Sequence, residues 1–207
     1  VIHLVAVIRE KGRATFKEVN VRGTVNILEA AEKAGVQRFI YMSALGASAD
    51  PAYRYAYSKW LAEEAVRKSS LQWTIFRPSL IYGEGFGFFD RLIQSLKMAP
   101  PLLAPLPGGG RTLFQPIAVE DLVRCVVHSL DDPSFYGVDC DLGGPEHLSY
   151  AQMLEMVAAV LGTRRLMVPV PLTLLRLVVP LLGLFFKDPP VTPVELKQLD
   201  KNNITDL

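Results

Sequence analysis

The sequence predicts an α/β fold, a partial doubly wound parallel sheet with a small C-terminal α/β lobe. Two observations predict it. Short apolar runs of buried-strand type recur at Val1–Ala6, Phe39–Met42 and Gln72–Phe76. Helical patterns lie between them, and strands alternating with helices imply βαβ units with right-handed crossovers.

Taken in order, Val1–Ala6 is the first strand and residues 7–16 are polar enough for a loop. A helix is predicted from about Lys17 to Ala34, with Val21, Val25 and Leu28 on one face and Gly35 as the left-handed stop. Phe39–Met42 follows as a strand, then a turn-rich stretch from Ser43 to Pro51, then a helix from about Ala52 to Lys68. Gln72–Phe76 is closed by Arg77-Pro78. From Leu80 to Arg111 glycine, proline and phenylalanine dominate around a short helix at Phe88–Lys97, the composition of a site-forming excursion. Regular structure resumes with a helix at Val119–Leu130, a strand at Val138–Leu142, and a helix from Ser149, its cap, to Leu161, stopped by Gly162. Met167–Phe186 is apolar but interrupted by Pro169, Pro171, Arg176 and Pro180. Its helical part, about 22 Å long at 1.5 Å per residue, is too short to span a bilayer. The expectation is a helix buried in the C-terminal lobe; protein or membrane-surface contact through 172–186 is the alternative.

Half of the residues are apolar and the net charge is +1 with the signs interspersed, which supplies a core and argues against nucleic-acid binding. Cys125 and Cys140 form no disulfide framework, and neither stands in metal-ligand spacing with His3, His128 or His147. No metal is expected, and a reducing cytoplasm, at most peripheral to a membrane, is the default location.

The chemistry-bearing feature is Tyr55-Ala-Tyr-Ser-Lys59. Tyr55 and Lys59, four apart on a helix, share a face, and an ammonium beside a phenol is expected to lower the phenol's pKa toward that of a working proton shuttle. Around it stand Asn20-Val-Arg-Gly-Thr-Val-Asn26, Arg77-Pro-Ser-Leu-Ile-Tyr-Gly83, Gln115-Pro-Ile-Ala-Val-Glu-Asp121 and Gly143-Gly-Pro-Glu-His-Leu-Ser-Tyr150.

With His3-Leu-Val-Ala6 at the first strand end, these ordered motifs resemble the extended and atypical short-chain dehydrogenase/reductase superfamily, the branch of NAD-dependent epimerases and dehydratases. The proline-rich apolar tail is most similar to the group related to the nucleotide-binding accessory subunit of respiratory complex I. The resemblance implies a Rossmann-like core at 1–80 and 119–145, a substrate-lobe excursion at 81–118 and a C-terminal substrate lobe at 146–207. It implies a small-molecule substrate, Tyr55 as acid/base, and Lys59 as its pKa-lowering and ribose-binding partner. Leu4, Val5, Ala6, Asn20, Pro78, Ser79 and Leu80 would line an NAD or NADP site, NADP being favoured, and Phe86, Phe88, Arg111 and Gln115 would lie on the substrate side. A homodimer through the helices at 17–34 and 52–68 is a further implication.

The sequence departs from the family in two places. The Ser or Thr expected after the second strand falls on Ala44, so Ser43, one residue early, is the alternative catalytic hydroxyl. No Gly-x-x-Gly-x-x-Gly loop occurs, and Gly108-Gly-Gly110, preceded by Pro107, reads as a turn. The first strand resembles the family's fourth, so an N-terminal truncation without the pyrophosphate loop is expected. Three functions stay open: an oxidoreductase or epimerase, a non-catalytic nucleotide-binding subunit, and an inactive fragment.

Overall fold

The computed structural model describes residues 1–84, 87–100, 102–185 and 191–206, with side chains left aside at 182–185. Two compact units emerge, Val1–Ser79 with Val119–Leu142, and Leu80–Ala118 with Gly143–Leu207.

In the first unit, β1 (Ile2–His3), β2 (Arg38–Met42), β3 (Gln72–Pro78) and the later strand Val138–Leu142 form one sheet in that spatial order. Every pairing is parallel. The helix expected at 17–34 is divided, with a π-helical segment, Phe16–Arg22, leading into α1 (Gly23–Lys33). Thr15 caps the segment by accepting from the Glu18 amide. α2 (Arg54–Lys68) starts after an Asp50 turn, whose carboxylate accepts from the Ala52 amide. The two helices close over Phe39, Tyr41 and Ile75, with Leu28, Ala31, Ala62 and Val66 contributed from the helical side.

The second unit contains strands that the sequence pattern hides: β4 (Ile81–Tyr82), β5 (Leu103–Pro107), β6 (Leu113–Phe114) and β7 (Ile117–Ala118). α3 (Phe88–Met98) lies between β4 and β5. The chain then returns to the first unit through α4 (Val119–His128) and β8 (Val138–Leu142), and re-enters the second at β9 (Leu148–Ser149). α5 (Tyr150–Val160), β10 (Leu166–Val170), α6 (Leu172–Phe185) and α7 (Pro193–Gln198) complete it. β5 pairs in parallel with β10 although it carries Pro105 and Pro107, which suits a two-stranded sheet with open edges. Gly108–Gly110 is a turn with all three φ angles positive.

One expectation needs correction. Within Leu172–Leu181 only Val179 is buried, while Leu174, Leu177, Val178 and Leu181 are exposed, so α6 packs one edge and leaves an apolar face open. Among the described residues, no helix is long and apolar enough to cross a membrane.

Candidate functional site at the carboxyl ends of the first sheet

Successive turns of α2 meet successive strands. The Lys59 ammonium donates to the Met42 carbonyl of β2 at 2.7 Å and sits 4.4 Å from the centroid of the Tyr41 ring. His3 of β1 stacks on that ring from a centroid distance of 5.8 Å. One turn on, the Glu63 carboxylate accepts from Ser43 Oγ, from Arg77 Nε and Nη2, and from Arg67 Nη2. Arg67 and Arg77 both continue to Asp139 of β8.

Lys59 is 1% exposed, and burial lowers its pKa to about 8 against the opposing influence of Glu63. Among the described residues its ammonium has one hydrogen-bond acceptor, which leaves two N–H donors unused. Tyr55 is half-buried, edge-on to Phe16 at 5.9 Å. The lowered phenol pKa expected from Lys59 is not found. Burial pushes Tyr55 up to about 12, while the Lys59 ammonium is engaged by the Met42 carbonyl and the Tyr41 ring.

Asn20 is fully buried at the centre of the π-helical segment. Its side chain accepts from the Val7 amide, donates to the Val7 carbonyl and donates to Ser58 Oγ of α2. It therefore ties the chain after β1 to the helix that carries Tyr55 and Lys59. The wider π turn is a local distortion of the kind that often accompanies such placements. Upstream of this tie, Leu4, Val5 and Ala6 are exposed, an apolar wall past the end of β1. Pro78 and Ser79 lie at the matching end of β3, and the Ser79 amide donates to Leu142.

The remaining expectations divide. Ser43 does not present a free hydroxyl beside Tyr55, because its Oγ is bound to Glu63 two turns along α2. Leu80, Phe88, Arg111 and Gln115 belong to the second unit, and Phe86 lies outside the described residues. Phe88 packs on Phe89 and Phe114. Gln115, expected on the substrate side, is committed internally. Its amide nitrogen donates to the Gly144 carbonyl and its oxygen accepts from the Thr205 amide and hydroxyl. A Cβ on Gly143 would lie 2.1 Å from the Gln115 side chain, and one on Gly144 would lie 1.8 Å from the Pro116 oxygen, so this glycine pair serves close packing. Sequence reasoning missed Glu63, whose burial had no signal beyond its place eight residues after Tyr55.

Comparison with known proteins bears on the family and the fold. A family model described as NAD(P)H-binding fits residues 2–87. Over residues 2–87 the chain is thus similar to an NAD(P)H-binding domain. It is 34% identical over 161 residues to the mitochondrial NADH dehydrogenase (ubiquinone) 1 alpha subcomplex subunit 9 of Arabidopsis thaliana, covering 76% of this chain and 39% of that protein. A UDP-glucose 4-epimerase of Vibrio cholerae is 26% identical over 189 residues, covering 81% and 57%. The chain thus spans well under two thirds of these relatives. Among solved structures, UDP-glucuronic acid 4-epimerase from Bacillus cereus, in complex with UDP-glucuronic acid and NAD, superimposes with a TM-score of 0.68 at 20% identity over 82% of this chain and 62% of that one. At that identity the likeness establishes the Rossmann fold.

Proposed function

We propose that the chain acts as an NAD(P)-dependent oxidoreductase or epimerase/dehydratase-like protein, its first unit holding the nicotinamide half of the cofactor. The observation that carries this reading is the buried Lys59 ammonium with two unused donors. An under-bonded buried charge is costly, and ribose hydroxyls are acceptors of the right chemistry. Leu4, Val5 and Ala6 supply apolar surface for the flat faces of the cofactor, beyond the strand ends where open α/β sheets take their ligands. Bound nicotinamide supplies or accepts hydride at a hydroxyl or carbonyl carbon.

Tyr55 moves the proton in this reading. A phenol held at about 12 is protonated at neutral pH, so it stands ready to donate to a carbonyl oxygen being reduced. Asn20 fixes the distance between the Val7 backbone and α2, and so positions both side chains. The substrate class in this reading is a hydroxyl or carbonyl compound of the nucleotide-sugar kind, as the UDP-glucose 4-epimerase relative suggests.

A second reading, a nucleotide-binding subunit without turnover, has its own support. Ala44 has no hydroxyl and Ser43 is bound to Glu63, so neither offers the substrate-orienting group. Titration with NADH and NADPH, followed by assay on UDP-glucose, UDP-glucuronic acid and a carbonyl panel, separates the two. Tyr55→Phe is expected to bind cofactor as the parent does and to lose turnover by about 100-fold or more. Cofactor binding without turnover in the parent protein favours the subunit.

A further inference from the structure

We propose that one end of the second unit, built from residues 97–100, 102–103 and 160–166, is a docking surface for an anionic lipid bilayer. The backbone brings the two segments together. The Leu166 amide donates to the Leu102 carbonyl at 2.8 Å, Leu166 stands opposite Leu103 in the β5–β10 register, and Arg165 Nη1 donates to the Pro100 carbonyl at 2.8 Å. α5 ends immediately before, with the Gly162 amide closing on Ala159 at a positive φ, which turns the chain at this end.

What is displayed there is aliphatic and cationic. Val160 is 88% exposed and Leu102 74%, with Leu103, Leu161 and Leu166 also in solvent. Lys97 and Arg164 are exposed beside them, and Arg165 adds a third positive charge. No carboxylate offsets these charges within either stretch of chain: residues 91–119 and 156–187 contain no Asp or Glu, although the whole protein is nearly neutral. Protein interface cores are enriched in aromatic side chains, and no aromatic residue occurs in 97–103 or 160–166. Exposed aliphatic side chains that can enter the acyl boundary, with basic residues in the same short stretches of chain to meet lipid phosphates, are the chemistry of a surface-bound membrane contact.

Flotation with phosphatidylcholine vesicles, alone and mixed with phosphatidylserine, at low and high salt, tests this on the intact chain. The parent protein is expected to float with the anionic vesicles at low salt and to be released at high salt. Lys97→Glu with Arg164→Glu, and separately Leu102→Asp with Val160→Asp, are each expected to reduce the bound fraction about tenfold or more, with unchanged thermal melts because these side chains are exposed. No flotation with phosphatidylserine, or flotation indifferent to both variants, overturns the proposal. So does concentration-dependent self-association that Val160→Asp abolishes, which marks a protein interface instead. Neither variant touches Tyr55 or Lys59, so failure here leaves the cofactor reading standing.

Discussion

Lys59 and Glu63 lie one turn apart on the same buried face of α2, yet the regions around them treat charge in opposite ways. At the β3 and β8 side, Glu63 takes four hydrogen bonds, from Ser43, twice from Arg77 and from Arg67, and both arginines are held further by Asp139. At the β1 and β2 side, Lys59 has one carbonyl and the face of an aromatic ring. A saturated buried charge locks elements together, whereas an under-saturated one keeps bonding capacity that only a ligand can use. The difference fits an architectural role for Glu63 and, in the function proposed above, recognition for Lys59.

Breaking the saturated side should have the largest effect. Glu63→Gln leaves Arg67 and Arg77 short of a carboxylate and is expected to cost about 3 kcal/mol of unfolding free energy, read by denaturant titration. A loss below about 1 kcal/mol removes the architectural role. Removing the under-saturated charge should behave differently, and with pH. The folded pKa of Lys59 lies near 8, below its value of 10.5 when unfolded, so between those values the unfolded chain holds more protons. Stability of the parent protein is therefore expected to rise by about 2 kcal/mol from pH 8 to 9.5, before tyrosines begin to ionise. Lys59→Met should be flat over that window. Equal slopes for the two proteins would show that the ammonium is solvated after all.

The smallest effect concerns the ring beneath the lysine. The Tyr41 hydroxyl is buried without a well-formed hydrogen bond among the described residues, and its weak interaction with the Thr24 side chain only partly opposes the burial that raises its pKa. Tyr41→Phe keeps the ring under the ammonium and removes that poorly bonded group, so a gain of up to about 1 kcal/mol is expected in the same titration. A loss of comparable size would mean that the hydroxyl has a well-formed hydrogen bond.

Legibility in the sequence followed the same division. Strands β2 and β3 were readable from Phe39–Met42 and Gln72–Phe76, because parallel strands buried on both faces are apolar throughout. α2 was readable as a helix but not in its orientation, since its buried face includes Lys59 and Glu63, residue types that pattern reading assigns to solvent. The two-residue strands of the second unit are too short to show a period of two, and the prolines of β5 argued against a strand there. The π-helical turn at Asn20 could not be read because its driving contacts, Val7 and Ser58, lie 13 and 38 residues away. Tyr55 and Lys59 stand out in the sequence by their spacing together with the motifs that flank them. That Ser43 turns to Glu63 could not be read there, for it depends on the carboxylate being inside.

The most direct test of the central claim is cofactor affinity with and without the under-bonded ammonium. NADH and NADPH titrations, followed by nicotinamide fluorescence, should show binding to the parent protein and a loss of about tenfold or more in Lys59→Met, with the fold intact by circular dichroism. Equal affinity in the two proteins, or no binding to either at millimolar cofactor, would contradict it.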